Sequence, residues 1–182
     1  MNSAQGGMVT ADNRQANGGE ARSWEECNRI GALLADEALR LVENARVQHN
    51  PKVQCFSRDL KLPVESPGFK ALLKAMPGLE GSNSDAVTTQ FNLLNVGNAQ
   101  ILTIPGEALP NIGFYLKRKM RGRHNLLFGL TNDAFGYILT KVDFQSFPRY
   151  DYVSRTSLGE MTGEILIEKA LEFVNKSPAP DR

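Results

Sequence analysis

The sequence predicts an α/β fold, a layered mixed sheet with flanking helices. Strand-like runs alternate along the chain with amphipathic helical runs, the order from which layered α/β architectures are built. Two of the strand-like runs, residues 87–96 and 99–104, are separated only by Gly97-Asn98, a pair suited to the left-handed dihedrals of a tight hairpin. No internal repeat interrupts this order.

The elements follow in sequence. Residues 1–22, rich in Gly, Asn, Gln and Ala, read as a flexible lead-in. Ser23 then caps a helix, and Glu26 three residues on completes a capping box. Trp24, Cys27, Ile30, Leu34, Ala38, Leu41 and Ala45 recur at three- and four-residue spacing, giving the helix one apolar face, and Asn50-Pro51 is its expected stop. Leu60, Leu62 and Val64 alternate in an extended segment over 53–64. Ser66-Pro67 opens a short helix, because proline fits a first helical position where its missing amide costs nothing. After a Pro-Gly loop and the hairpin, Pro105-Gly106-Glu107 leads into a helix with Leu109, Ile112, Leu116 and Met120 on one face and Gly122 as its expected end. Residues 126–130 read as a short buried strand, and 135–152 as irregular, aromatic-rich chain. A last amphipathic helix over 158–174 precedes a frayed tail, 176–182.

Composition excludes several classes. The 182 residues are 41% hydrophobic and 23% charged, which fits one globular domain and neither a disordered nor a fibrous chain. Lys plus Arg total 21 against 20 for Asp plus Glu, so there is no general electrostatic reason to expect nucleic acid as a partner. No apolar run approaches the roughly 20 residues of a membrane span, and no signal peptide precedes the first motif. Cys27 and Cys55 make neither a disulfide framework nor a metal knuckle.

Two residues stand at strand-to-loop junctions, where ligands of α/β sheets gather. Glu107 follows one strand and opens a helix, so it is either a site carboxylate or a first-turn acid favoured by the helix dipole. Tyr137 follows a second junction and is either a site phenol or a core aromatic with one hydroxyl partner. His49, read as closing the first helix, and His124, in a basic turn, read as structural or solvent-facing. Lys117, Arg118, Lys119, Arg121 and Arg123 form the strongest local charge cluster. It reads as a helix end whose cations meet unpaired carbonyls, or as a basic rim that attracts anionic lipid in a peripheral membrane contact.

With those residues in view, Gly129-Leu130, Asn132, Tyr137, Ile138, Thr140, Phe144 and Arg149-Tyr150 resemble a block of the neutral/alkaline (non-lysosomal) ceramidase family. Ile104-Pro105-Gly106-Glu107 resembles that family's Pro-Gly-Glu turn, and Gln5-Gly6-Gly7-Met8-Val9-Thr10 its Gly-Asp-Val-Ser-Pro-Asn segment. The three blocks stand in family order, with 23–96 as a poorly matched middle. The resemblance implies that Glu107 and Tyr137 are zinc ligands and that Asn132, Arg149 and Tyr150 contact substrate. Thr10 becomes the candidate catalytic hydroxyl; the neighbouring acid is replaced by Met8, which leaves a structural threonine as the other reading.

The implied chemistry is zinc-dependent hydrolysis of the N-acyl bond of a ceramide-like lipid, an N-acylsphingosine amidohydrolase activity of sphingolipid metabolism. Zinc lowers the pKa of bound water to about 7 and polarises the carbonyl. The family's two histidine ligands precede the first block, and His49 and His124 match neither. The chain is therefore expected to be a partial domain: residues 1–182 as the C-terminal part of a ceramidase-like catalytic domain, inactive without the missing N-terminal half. The alternative is a non-catalytic binding or structural domain that kept the fold and lost the metal. Family resemblance makes a secreted or periplasmic location the expectation.

Overall fold

The computed structural model describes residues 2–7, 22–75 and 85–181. Thr10, with Met8 and Val9, lies outside the described residues, as does most of the loop expected after the second helix. The chain divides into two compact units, residues 9–49 and residues 1–8 with 50–182.

The smaller unit is built on helix α1 (Trp24–Glu43), whose N-cap Ser23 accepts a hydrogen bond from the Glu26 amide at 3.2 Å. Glu26–Arg29 and Glu37–Arg40 ion pairs line its polar side. None of its residues is buried. The helix ends well before Asn50-Pro51, because the Asn44 side chain donates to the Arg40 carbonyl at 2.7 Å and satisfies an end carbonyl early. His49, six residues past Glu43, is thus exposed chain and does not close a helix.

The larger unit contains a four-stranded mixed sheet in the order β1-β2-β3-β5. Strand β1 (Val53–Pro63) pairs antiparallel with β2 (Ala86–Val96), which pairs antiparallel with β3 (Ala99–Thr103) across the Gly97-Asn98 turn. Gly97 takes a φ of 55°, the dihedral for which that turn needs glycine. Helix α2 (Pro67–Ala75) connects β1 to β2. From β3 the chain passes through β4 (Glu107–Ala108) and helix α3 (Pro110–Lys119) into β5 (His124–Phe128), which lies parallel to β3 from Ala99↔His124 to Thr103↔Phe128. The layered mixed sheet with flanking helices that the sequence predicts is the fold observed.

One face of the sheet is apolar. In β2, Val87, Phe91 and Leu93 alternate inward and meet Leu60 and Leu62 of β1 and Leu102 of β3. Ile112 and Leu116 of α3, with Leu166, Ala170 and Phe173 of α5 (Thr162–Lys176), cover them. The period of two on the strands and near 3.6 on the helices is what brings these residues into one core.

Three expectations are corrected here. α3 stops at Lys119, not at Gly122, because the Asn125 amide donates to the Lys117 carbonyl at 2.9 Å and caps the end. Residues 135–152 are not irregular throughout: they hold β6 (Tyr137–Ile138) and the 3-10 turn Pro148–Tyr150, and α4 (Asp151–Arg155) begins within them. Each of these is shorter than the stretch over which periodicity can be read.

The third correction concerns the tail and residues 2–7 of the lead-in; residues 8–21 of that lead-in lie outside the described residues. The tail is tied down, since the Pro178 carbonyl accepts from Asn95 at 3.0 Å and the Asp181 amide donates to the Gly97 carbonyl at 2.8 Å. Buried Gln100 donates to Asn95 at 3.0 Å, extending that chain of bonds into the sheet. At the other end, the Gly6 amide donates to the Ala108 carbonyl, and the Gly129 amide to the Asn2 carbonyl, each at 2.9 Å.

Arg121 also leaves the basic cluster. Its Nη1 donates to the Ser177 carbonyl at 2.9 Å, closing the C-terminal end of α5, where a cation meets the negative end of the dipole. Arg121→Ala is expected to lower stability by about 1–2 kcal/mol, read as a lower midpoint in a denaturant titration at unchanged slope.

Candidate functional site

Glu107 and Tyr137 are register partners. β4 and β6 form a two-stranded parallel sheet with Glu107↔Tyr137 and Ala108↔Ile138 paired. Backbone bonds fix the pair: the Glu107 amide donates to the Gly136 carbonyl at 2.9 Å, and the Leu109 amide to the Ile138 carbonyl at 3.0 Å. The Tyr137 amide is spent on the Thr156 carbonyl at 3.1 Å, at the end of α4.

Glycines make this meeting of backbones feasible. A Cβ on Gly106 would stand 2.7 Å from the Gly136 carbonyl oxygen, and one on Gly136 would overlap the Thr156 carbonyl oxygen. Gly136 also holds a φ of 74°, which side chains rarely adopt. The Pro-Gly-Glu and Gly-Tyr segments therefore serve one contact. The glycines permit the approach and the residues that follow them present the acid and the phenol.

Glu107 and Tyr137 are both half-buried. Partial burial, then the neighbouring Glu107 and Tyr152, push the Tyr137 hydroxyl above the ordinary tyrosine value. The phenol, un-ionised at neutral pH as an ordinary tyrosine is, therefore stays a hydrogen-bond donor beside a carboxylate to a higher pH than usual. Ionisation of Tyr137 is expected to need a higher pH than that of a free tyrosine, about 10, in the absorbance difference between the native chain and Tyr137→Phe. The sign follows from the raised value. The contribution to stability is complete below about pH 10 and is lost as pH rises through the folded-state value.

The other candidates divide. Tyr150 packs with Tyr137 against the small cluster of Leu109, Leu139 and Val153. Arg149 stacks on both neighbouring rings, 5.6 Å from the centroids of Phe147 and Tyr150. Asn132 is turned away to the sheet: its amide donates to the Gln90 carbonyl at 3.0 Å and its oxygen accepts from Asn92 at 3.2 Å. Asn132 (φ 75°) and Leu130 (φ 49°) are both left-handed, an uncommon conformation that leucine enters at a cost of about 1–2 kcal/mol. Sequence reasoning missed Tyr152, whose ring meets Tyr137 edge-on at 5.8 Å. Its signal is the aromatic spacing through Phe147, Tyr150 and Tyr152, which α4 and the preceding turn wrap towards Tyr137.

His124 opens β5 opposite Ala99, at the start of β3, whereas Glu107 follows the end of β3, so the two stand at opposite ends of the parallel pair. Among the described residues no group of three His, Cys, Asp or Glu side chains could hold a metal ion. Glu107 and Tyr137 offer two oxygens, whereas a catalytic zinc takes three protein ligands, usually with nitrogen or sulfur among them. The described residues do not by themselves fit a catalytic zinc.

No family model matches the sequence, and no curated protein matches it. Solved structures do. Neutral ceramidase from Pseudomonas aeruginosa superposes with a TM-score of 0.61 at 13% identity, over 93% of this chain and 36% of that one. A ceramidase complexed with C2 superposes with a TM-score of 0.59 at 14% identity, over 86% of this chain and 36% of that one. Likeness at such low identity defines architecture. The chain has a ceramidase-like α/β fold and spans little more than a third of the length of the ceramidases it matches.

Proposed function

We propose that this chain carries the acid-and-phenol part of a site that hydrolyses the N-acyl bond of ceramide-like lipids. The observation that supports it best is the Glu107↔Tyr137 pairing at a strand-end junction of a ceramidase-like fold. Amide cleavage builds negative charge on the carbonyl oxygen and needs a proton on the departing amine. Tyr137, held in its hydroxyl form, donates a hydrogen bond to that oxygen, most strongly as the charge grows. Glu107, within coulombic reach of Tyr137, is the carboxylate that takes a proton from attacking water and returns it to nitrogen. The rings of Tyr150 and Tyr152, with the Arg149 guanidinium stacked on Tyr150, suit an amphiphile with an alkyl chain and a polar head.

This proposed site is incomplete. The zinc that the family resemblance implies needs donors beyond the described residues, so this chain alone is expected to hold zinc poorly and to turn over slowly. The same short donor set favours a second reading, a non-catalytic binding or structural domain that keeps the fold. Fatty-acid release from a short-chain N-acylsphingosine, with and without zinc, separates the two in the native polypeptide that carries these residues. The hydrolase reading expects Glu107→Gln and Tyr137→Phe each to lower kcat about 10²–10³-fold with little change in KM. Unchanged turnover in both variants, or none in the native polypeptide loaded with zinc, would sink it.

A further inference from the structure

We propose that the outer face of α3 is a docking surface for an anionic lipid bilayer, independently of any chemistry at Glu107 and Tyr137. The inner stripe of the helix is spent on the core through Ile112 and Leu116. The outward face carries Phe114, 62% exposed, and Tyr115, 39% exposed, followed in the last turn by exposed Arg118 and Lys119 with half-buried Lys117 at their flank. α3 contains no acidic residue, and none of these three cations, nor Arg123 beyond them, pairs with a carboxylate among the described residues.

Spacing joins the two chemistries. Phe114 and Arg118 lie one turn apart, as do Tyr115 and Lys119, so each exposed ring has a cation beside it. The Lys119 ammonium stands 5.8 Å from the centre of the Tyr115 ring. Rings that sit at headgroup depth beside cations that reach phosphate are the composition of an interfacial helix. Phosphate alone would explain the cations but not Phe114, the most exposed ring of the helix, which offers nothing to the phosphate backbone of a duplex. Apolar surface alone would explain the rings but not three cations that meet no carboxylate among the described residues. An anionic bilayer matches both. α3 starts two residues after β4 and rises about 15 Å along its length, so its last turn stands within roughly 22 Å of the Glu107 strand.

Flotation of the chain with vesicles tests the surface, using phosphatidylcholine alone and phosphatidylcholine with about 30 mole per cent phosphatidylserine. The chain is expected to float with the anionic vesicles only, and to be released by about 0.5 M salt, where screening shortens the reach of the cations. K117Q/R118Q/K119Q should lower partitioning about a hundredfold, and Phe114→Ser about tenfold. The charge-keeping variant K117R/R118K/K119R should float as the native chain does. Failure to float at low salt would overturn the proposal. So would a triple glutamine variant that floats as well as the native chain, because another surface would then hold the vesicle. Loss of flotation in the charge-keeping variant, or binding of a DNA duplex that rivals the vesicles and ignores Phe114→Ser, would equally overturn it.

Discussion

Gly136→Ala is expected to lower stability by about 3 kcal/mol or more and to part Glu107 from Tyr137. Two costs add. A φ of 74° charges any side chain about 1–2 kcal/mol, and the new methyl overlaps the Thr156 carbonyl oxygen, which already accepts the Tyr137 amide. Relief requires moving either the end of α4 or the β4–β6 pair. The midpoint of denaturant unfolding reads the first effect. The second appears as a Tyr137 ionisation that moves back towards about 10 as burial and the Glu107 charge recede. Gly31→Ala makes the contrast: nothing stands within 4 Å of its Cβ position and the site is mid-helix, so about 0.5–1 kcal/mol of helix stability is gained.

Phe91→Ala is expected to cost about 3–5 kcal/mol, the usual loss for a fully buried aromatic whose cavity cannot collapse. Phe91 is 1% exposed, at the centre of β2, and its ring stacks on Phe173 of α5 at 6.4 Å between centroids. Arg58 lies over the other ring of that pair, 5.5 Å from the Phe173 centroid. Removing Phe91 therefore loosens sheet, helix and cation together. For a domain of this size the thermal midpoint should fall by roughly 10 °C. A fall of only a degree or two would mean that α5 repacks over the gap.

Residues remote in sequence reach the site through contacts that carry no local pattern. Periodicity made the long elements legible: alternation marked β1 and β2, three- and four-residue spacing marked α1 and α5, and Gly97-Asn98 marked the hairpin between β2 and β3. The same rule fails for β6 and for the turn and helix of 148–155, which are too short to show a period. Composition misled at both ends. Glycine and proline read as flexible, whereas Gly6 is buried against Ala108 and the tail carbonyls hold Asn95 and Arg121.

The order of the long elements, the capped helix and the placing of the acid after β3 and of the phenol after β5 were properties of the sequence itself, since each depends on neighbours within a turn or two. Folding alone decided that Glu107 and Tyr137 share a register, that Asn132 belongs to the sheet, that His124 stands at the far end of the parallel pair, and that Tyr152 joins the phenol. Those are outcomes of packing between segments 15 to 42 residues apart. Packing of that kind is set by the shape of the whole core, not by any local preference.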